Sequence, residues 1–198
     1  SKSIENEVLF KKIDLNLSKG DKILVFPRDS RATTNFFQII NNCLEPDSGV
    51  FNWGITTSQS YLPLDNSEFF NKDINLIEWL REYANNEVER EEVYLRGFLG
   101  KMIFSGDEAL KKCNVLSGGE KVRCMISRMM MKKGNVLILD EPTNHLDLES
   151  ITAFNNSLKN FKGTLMLSSH DHEFAQTIAN RIIELTPSGI IDRYMTFE

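Results

Sequence analysis

The sequence predicts an α/β protein with a mainly parallel β-sheet and helices on both faces. Short apolar runs of strand length alternate along the chain with segments whose apolar residues recur at helical spacing. The later strand-like runs are continuously apolar, which is typical of strands buried on both faces of a parallel sheet. A small β portion at the amino end and an inserted helical subdomain complete the predicted architecture.

The first predicted strands are residues 8–10, 13–17 and 23–26, with the turn SKGD between the last two. A helix is predicted from about Thr33, because apolar residues then recur at helical spacing until the turn cluster EPDSG. The following stretch VFNWGITTSQSYLPL is rich in Thr, Ser and aromatic residues and predicts further strand structure.

A helical pattern over residues 76–104 interrupts the alternation of strands and helices. We therefore expect one domain, 1–198, with a helical subdomain at 71–112 and a core formed by 1–70 and 113–198. The alternation resumes after Ser117. There the sequence predicts a helix through Met131, strand Val136–Leu139, a helix from Leu148, strand 164–168, a helix from Asp171, strand 181–185 and a hairpin around PSG.

Composition is that of an ordinary globular protein, with 198 residues, 41% hydrophobic and 26% charged. No apolar run approaches the roughly 20 residues that a membrane helix requires, so we expect no membrane insertion. The net charge of -5 comes without a basic stripe, so any contact with RNA is expected to be small or to lie in segments outside this chain. The missing initial Met predicts a fragment of a longer protein.

The three cysteines, Cys43, Cys113 and Cys124, are scattered and odd in number. This usage suits a reducing cytoplasm, so a cytoplasmic location is predicted. Buried small hydrophobic residues are the expected role of these cysteines.

The stretch NVLILDEPTNHLDLES places two carboxylates after an apolar strand. Asp140 and Glu141 should therefore lie at the carboxyl end of a parallel sheet, where open α/β folds bind ligands. An Asp there can hold Mg²⁺, and the adjacent Glu can act as general base toward an attacking water. Two ordinary acids in a solvated turn are the alternative.

The stretch VLSGGEKV predicts a capped helix. Ser117 is a natural N-cap, and Glu120 stands at the capping-box position three residues later. The amides of Gly118 and Gly119 at the positive end of that helix form a site for an anion such as a γ-phosphate. A capped helix after a glycine turn, without a ligand, stays open as the other interpretation.

The stretch GTLMLSSHDHEF places His170 just beyond another apolar strand. A histidine in that position can donate a hydrogen bond to a γ-phosphate and orient water against Glu141. His170 and His172 could also suggest a metal pair, but no further Cys or carboxylate at ligand spacing supports one.

The stretch KILVFPRDSRATT has the layout of a phosphate-binding loop, a strand followed by a short connection and a helix. Its residues do not match Gly-x-x-x-x-Gly-Lys-[Ser/Thr], and only the terminal hydroxyl is retained. The sequence alone leaves open whether this loop is a diverged phosphate loop.

Together, these motifs in this order resemble the ATP-binding cassette (ABC) ATPases. LSGGE resembles the family signature, VLILDE its Walker B motif, NHLD its D-loop and SSHD its switch histidine. The likeness is greater still to the second cassette of ABC-F proteins, which are tandem-cassette ATPases without a membrane domain, many of which act on the ribosome. This resemblance to ABC-F proteins extends over nearly the whole chain. It is carried by the stretches RGFLGKMIFSGDEALKKCNVLSGGEKVRCMISRMMM, DEPTNHLDLESITAFNNSLKNFKGTLMLSSHDHEF and ANRIIELTPSGIIDRY.

The resemblance fixes the register of the phosphate loop. Ala32 stands at the Walker A lysine position, Thr33 at the Mg²⁺-binding hydroxyl position with Thr34 beside it, and Phe26 and Arg31 where glycines are expected. The loop is therefore expected to be degenerate. Losing the lysine removes a cation from the phosphates, and losing glycines restricts the backbone.

Two further positions follow from the family pattern. The usual Q-loop glutamine falls at Leu64, while Gln59 stands five residues early. Phe10 matches the aromatic residue that stacks on adenine, and a core role for Phe10 stays open as the alternative.

The resemblance implies head-to-tail pairing with a partner cassette, in the same chain or in a homodimer-like pair, with ATP and Mg²⁺ between the two. Ser117–Glu120 would then serve the ATP of the partner, and Asp147 would communicate across the pair. In its own site, Asp140 and Thr33 would hold Mg²⁺, Glu141 would orient water and His170 would contact the γ-phosphate. Arg28 or Arg31 could replace the missing lysine, or both could face solvent.

The leading hypothesis is thus a weak or nonstandard ATP site in the second cassette of a cytoplasmic ABC-F-type ATPase coupled to the ribosome or to translation. One alternative is a nucleotide-poor partner module that supplies Ser117–Glu120 and hydrolyses nothing itself. Another is the ATPase subunit of a membrane transporter, although the helical tract before LSGGE and the stretch NHLDLES look more like ABC-F.

Overall fold

The computed structural model describes residues 1–26 and 28–194, so Pro27 of the phosphate-loop stretch and residues 195–198 lie outside the described residues. The described strands are β1 (Lys2–Ile4), β2 (Glu7–Phe10), β3 (Lys22–Phe26), β4 (Gln59–Leu62), β5 (Val136–Leu139), β6 (Thr164–Leu167), β7 (Arg181–Thr186) and β8 (Gly189–Tyr194). β1 and β2 pair as an antiparallel hairpin.

The main sheet has the strand order β4-β5-β6-β3-β7-β8. The neighbours from β4 to β7 pair in parallel, and only β7 with β8 is antiparallel among the described strands of this sheet. The prediction of a mainly parallel sheet with a small amino-terminal β portion is confirmed.

The described α-helices are α1 (Ser30–Ile40), α2 (Leu76–Arg81), α3 (Glu87–Arg90), α4 (Glu92–Lys101), α5 (Gly118–Lys132), α6 (Leu148–Lys159) and α7 (His172–Gln176). Short 3-10 helices cover Ser67–Phe70, Gly106–Leu110 and Cys113–Val115. None of the helices in the described part of the chain is long and apolar enough to cross a membrane.

The chain forms two compact units. The first comprises Ser1–Leu64, Gly134–Pro142 and the residues from Phe161 onward, and it contains the whole main sheet. The second comprises Asp65–Lys133 and Thr143–Asn160, and it contains α2 to α6. This second unit is larger than the helical subdomain expected at 71–112, and the organisation of 1–198 as one nucleotide-binding domain stays a prediction.

The core of the first unit lies between α1 and the sheet. Ile23, Val25, Ile138, Met166 and Ile183 line the sheet side and are fully buried. From α1, an apolar face packs against them: Ala32, Phe36, Phe37, Ile39 and Ile40. Complete burial of one such large side chain contributes about 1.5–3 kcal/mol, so this face fixes α1 against the sheet.

The second unit has its own core. Trp79 is fully buried and stacks on Phe70 with ring centroids 4.8 Å apart. Leu95 and Leu99 of the same unit are also fully buried. The helical interpretation of residues 76–104 is confirmed in type, although the structure divides the segment into α2, α3 and α4.

Three predictions of element boundaries were wrong. Of the stretch 50–64, only Gln59–Leu62 forms a strand. Residues 13–17 form no strand, because Ile13, Leu15 and Leu17 pack against the core through side chains alone, without a strand partner among the described residues. The helix expected from Thr33 begins at Ser30, because the Asp29 side chain caps it by accepting a hydrogen bond from the Arg31 amide at 2.9 Å.

Candidate functional site

Two neighbouring strands deliver the candidate catalytic residues to one edge of the sheet. Asp140 and Glu141 follow β5, and His170 lies just after β6. β5 and β6 are parallel and in register from Val136 opposite Thr164 to Leu139 opposite Leu167, so their carboxyl ends coincide. The topology therefore brings these residues together, although 28 or more positions separate them in the sequence.

Asp140 is a buried carboxylate, and one of its two oxygens has no hydrogen-bond partner among the described residues. Its Oδ1 accepts a hydrogen bond from Ser168 Oγ at 2.9 Å, and the Thr34 side chain lies near the carboxylate and lowers its pKa. Burial raises the pKa of Asp140 despite these neighbours, and Oδ2 has no hydrogen-bond partner within the described residues. A desolvated carboxylate oxygen without a donor is the arrangement that a cation would satisfy.

Glu141 is 6% exposed and adopts a left-handed backbone conformation with φ of 48°. Its Oε2 accepts a hydrogen bond from the His170 amide at 3.2 Å, and Oε1 lies 3.5 Å from His170 Nε2. Burial raises the pKa of Glu141, while the neighbouring His170 lowers it. A carboxylate whose basicity is increased by burial suits proton abstraction from water.

His170 presents its side chain to solvent, with 64% of it exposed, so it is accessible to a ligand. His172 does not join it, because its ring stacks instead on Phe26 with centroids 6.4 Å apart. No group of three or more Cys, His, Asp or Glu residues suited to a metal occurs in the described part of the chain.

The phosphate-loop stretch has a buried alanine where the resemblance predicts the Walker A lysine. Ala32 is 2% exposed and belongs to the core. Thr33 is equally buried, and its hydroxyl donates to the Asp29 carbonyl oxygen at 3.4 Å. The Thr34 side chain lies near Asp140, while Thr33 as the Mg²⁺-binding hydroxyl stays a prediction.

Both arginines of this stretch are paired with acids. Arg28 Nη1 lies 2.9 Å from Glu184 Oε1. Arg31 Nη2 lies 2.9 Å from Asp29 Oδ2, and its Nη1 lies 2.9 Å from Glu7 Oε2. The arginine side chains are 72% and 53% exposed, so their ion pairs are screened by water and are worth little individually.

Phe10 is a core residue. It is 3% exposed and packs edge to face against Phe36, with ring centroids 6.1 Å apart. The structure therefore supports the core interpretation, and stacking of Phe10 on adenine stays a prediction.

The glutamine nearest the Q-loop position does not reach this edge. Gln59 begins β4 and pairs with Val136, at the amino end of β5. Leu64 follows β4 on the carboxyl side and is 48% exposed. An apolar side chain thus occupies the position at which the resemblance predicts the Q-loop glutamine.

The signature stretch forms the predicted capped helix in the second unit. Ser117 Oγ accepts from the Glu120 amide at 3.3 Å, and Glu120 Oε2 accepts from the Ser117 amide at 2.9 Å, so the capping box is confirmed. The first intrahelical bond runs from the Lys121 amide to the Ser117 carbonyl. The amides of Gly118 and Gly119 precede it and face outward from the helix end, where an anion can accept from them.

Asp147 lies at the start of α6 in the same unit. Its Oδ1 accepts from the Ser150 amide at 2.8 Å, and this bond lowers the pKa of Asp147. The NHLD stretch also contacts the signature, because a Cβ on Gly119 would lie 2.3 Å from the His145 carbonyl oxygen.

Sequence reasoning missed two contributors to the site, Ser168 and Asp29. Ser168 was visible only as a small polar residue after a strand, within SSHD. Asp29 was visible as a helix-capping residue type before the α1 helix, which would have signalled the earlier start.

The residues that the structure brings together fit Mg²⁺. Asp140 Oδ2 lacks a partner among the described residues, and the Thr34 hydroxyl adjoins the same carboxylate. Oxygen donors of this kind, completed by phosphate and water oxygens, are the ligands that Mg²⁺ takes in nucleotide sites.

The sequence matches the family model described as ABC transporter over residues 10–144. It is 54% identical to the ABC transporter ATP-binding protein YkpA of Bacillus subtilis, over 100% of this chain and 36% of the relative. It is 30% identical to ABC transporter F family member 5 of Arabidopsis thaliana, over 96% and 27% respectively. It is 28% identical to the energy-dependent translational throttle protein EttA of Escherichia coli K12, over 96% and 34%.

The chain therefore spans roughly a third of the length of the curated relatives it matches. The fold matches the dimeric structure of a bacterial ABC transporter cassette with a TM-score of 0.76 at 18% identity, covering 98% of this chain and 95% of the other. A post-hydrolysis dimer of the same cassette, bound to ADP and Pi, matches with a TM-score of 0.75 at 19% identity over 100% and 96%.

Proposed function

The chain belongs to the ABC transporter family of ATPase cassettes, and we propose that it acts as an ABC-F-type cassette with a degenerate Walker A loop. In this proposal it pairs head to tail with a second cassette and hydrolyses ATP at the shared interface. The observation that carries the proposal is the buried Glu141 held beside His170 at the carboxyl edge of the sheet.

Glu141 is the proposed general base. Its burial raises its pKa, so it accepts a proton from water more readily than an exposed glutamate does. The His170 amide and ring fix the orientation of the carboxylate, and the exposed ring can also donate to a γ-phosphate. Base and orienting group thus come from adjacent strands, without any loop rearrangement.

Asp140 and Thr34 are the proposed Mg²⁺-holding residues, with Thr33 as the position that the family register indicates. When bound there, Mg²⁺ would neutralise the charge on phosphate oxygens. Ser168 keeps Asp140 in place, because its hydroxyl donates to Oδ1 and leaves Oδ2 available.

The proposed partner is a second cassette. Solved cassettes with this fold are dimeric, which supports pairing. The capped helix α5 presents the amides of Gly118 and Gly119, which would contact the ATP held by that partner. Asp147 would communicate to the other cassette whether that site holds ATP. The signature half of this cassette is complete in sequence, whereas its own phosphate loop lacks lysine and both glycines.

We further propose a cytoplasmic protein coupled to translation, with the ribosome or tRNA reached through segments outside this chain. The relatives named as an F family member and as a translational throttle protein support this assignment. A transporter ATPase subunit is the alternative. Co-sedimentation of the full-length protein with ribosomes in the presence of ATP separates the two, because a transporter subunit would stay in the supernatant.

Replacement of Glu141 by Gln tests the hydrolytic role. In the full-length protein this change should lower steady-state ATP turnover about 10²-fold or more, because a positioned base contributes about 10²–10⁴-fold. Glu173→Gln, at an exposed glutamate on α7, is the matched control and should leave turnover unchanged. Turnover by Glu141→Gln within twofold of the wild type would show that this cassette contributes no base.

A partner module that supplies its signature and hydrolyses nothing is the second candidate. It is favoured by the buried Ala32 at the lysine position and by the acid partners of Arg28 and Arg31. Photo-crosslinking of 8-azido-ATP, mapped to the peptide containing residues 22–40, discriminates the candidates. Labelling of this peptide at millimolar ATP would contradict the partner-module hypothesis.

A further inference from the structure

The first turn of α1 is closed by three charged side chains that the catalytic pair does not use. Asp29 Oδ1 accepts from the Arg31 amide at 2.9 Å and from Arg31 Nε at 3.2 Å, and Oδ2 accepts from Nη2 at 2.9 Å. Arg31 Nη1 continues to Glu7 Oε2 on β2 at 2.9 Å. We call this chain of Glu7, Arg31 and Asp29 the Asp29 latch.

The latch lies on a helix turn that independently points to a ligand. The Thr34 side chain on the same helix lies near Asp140, which is 2% exposed and whose Oδ2 has no hydrogen-bond partner among the described residues. A buried, unpaired carboxylate oxygen beside the start of a helix calls for a cation, and a cation there brings its anion to the helix start.

The Asp29 carboxylate sits where such an anion would bind. It accepts from a first-turn amide of α1 and lies at the positive end of the helix dipole. An aspartate is ionised at neutral pH, and the hydrogen bond from Arg31 lowers the pKa of Asp29 further. A phosphate group approaching the same amides would therefore meet a like charge at close range.

We propose that Asp29 is an affinity-determining residue of this cassette, whose carboxylate competes with the phosphates of ATP for the start of α1. This inference rests on the proposed function, because it takes ATP as the ligand of this loop. Binding of ATP moves Asp29 away from the helix start and frees Arg31 to pair with a phosphate. The exchange is open to solvent, since the side chains of Asp29 and Arg31 are 36% and 53% exposed.

The latch also explains why the two arginines do not simply replace the lysine. In the structure Arg31 is already neutralised by two carboxylates, and Arg28 by Glu184. A phosphate must displace these carboxylates before it can accept a hydrogen bond from the same guanidinium nitrogens. Asp29, rather than the missing lysine alone, then sets the ATP concentration that the site requires.

Replacement of Asp29 by Asn tests the competition, because Asn caps helices as well as Asp but carries no charge. The readout is ATP-dependent protection from hydrogen exchange in the peptide of residues 22–40, measured in the full-length protein across a titration of Mg-ATP. This measurement reports on residues 22–40 and not on ATP bound elsewhere in the protein. Asp29→Asn should lower the half-saturating ATP concentration at least fivefold.

Two further variants separate charge from structure. Glu7→Gln removes the outer anchor but keeps Asp29 charged, so it should shift half-saturation less than twofold. Asp29→Asn combined with Arg31→Gln should lose most of the gain, because Arg31 is then absent from the phosphates. Thermal unfolding verifies that each variant is folded, and Asp29→Ser replaces Asp29→Asn if the latter is not.

A shift of less than fivefold for a folded Asp29→Asn protein, including the absence of protection in both proteins, overturns the inference. The proposed function fails by a different result, which is unchanged turnover in Glu141→Gln. If Asp29→Asn raises the affinity for ATP while Glu141→Gln leaves turnover unchanged, the inference about the Asp29 latch stands and the proposed hydrolytic role of this cassette is wrong.

Discussion

Ser168 is the residue that holds the two candidate catalytic carboxylates in one arrangement. Its hydroxyl donates to Asp140 Oδ1 and accepts from the Glu141 amide, both at 2.9 Å. Glu141 needs such support, because a left-handed conformation costs a non-glycine residue about 1–2 kcal/mol. The motif DE could be predicted as the site from the sequence. The part played by Ser168 could not, because it depends on the parallel pairing of β5 with β6.

Gly119 is predicted to be intolerant of any side chain. Gly119→Ala would place a Cβ 2.3 Å from the His145 carbonyl oxygen, which neither backbone can avoid without moving. We expect a loss of about 1–3 kcal/mol in the free energy of unfolding, as for overpacked sites, together with reduced ATP turnover. Urea denaturation and steady-state turnover measure the two effects.

Gly97→Ala is the matched control for that substitution. Gly97 lies within α4 of the same unit, and a Cβ there meets no atom within 4 Å. This change should stabilise the protein by about 0.5–1 kcal/mol, because alanine is the better helix former. Equal stability changes in the two variants would contradict the close approach of Gly119 to His145.

At the scale of elements, the start of α1 shows where sequence reasoning reaches its limit. Adjacent residues on a helix point about 100° apart, so the entry of the helix decides whether Thr33 or Thr34 faces Asp140. Family register favours Thr33, but the structure directs the Thr33 hydroxyl to the Asp29 carbonyl and brings Thr34 to Asp140. A motif predicts which residue types are present but not how the helix is rotated.

Residues 13–17 illustrate the same limit for strands. Alternating Ile13, Leu15 and Leu17 predict one apolar face, and that face does pack against the core. A strand also needs backbone partners, which periodicity does not reveal, and the described residues supply none. The strands of the parallel sheet were predictable because continuous apolar runs of that length have few other environments.

A buried ion network joins β7 to β8. Arg181 Nη1 lies 2.8 Å from Asp21 Oδ2, and Arg181 Nη2 lies 2.6 Å from Asp192 Oδ2, with the arginine side chain 6% exposed. Arg181→Met should lower the free energy of unfolding by about 3 kcal/mol, because two carboxylates lose their cation. Arg193→Met, at an exposed position of β8, is the control and should cost about 0.5 kcal/mol or less.

The same network gives a pH dependence with a defined sign. The Arg181 hydrogen bond holds the pKa of Asp192 below its ordinary 3.8. This stabilisation is therefore present above about pH 4 and is lost as pH falls through the depressed value. Unfolding free energies between pH 5 and 2 should fall less steeply for Arg181→Met than for the wild type, and equal slopes would rule out the contribution.

At the scale of the whole molecule, the sequence predicted the family and the positions of its motifs, because those motifs are contiguous in the chain. It did not predict the Asp29 latch, since the contact of Arg31 with Glu7 joins residues 24 positions apart. The two halves of the cassette differ in consequence. The signature helix α5 carries its full capping box, whereas the phosphate loop places paired acids and arginines where the lysine and glycines are expected.

The most direct test of the central claim is a structure of the full-length Glu141→Gln protein determined with Mg-ATP. We predict ATP at this cassette with its γ-phosphate between His170 and the signature motif of a partner cassette, and Mg²⁺ at Asp140. An ATP-bound partner site beside an intact Asp29 latch, with no nucleotide next to Asp140, would contradict the claim that this cassette binds and hydrolyses ATP.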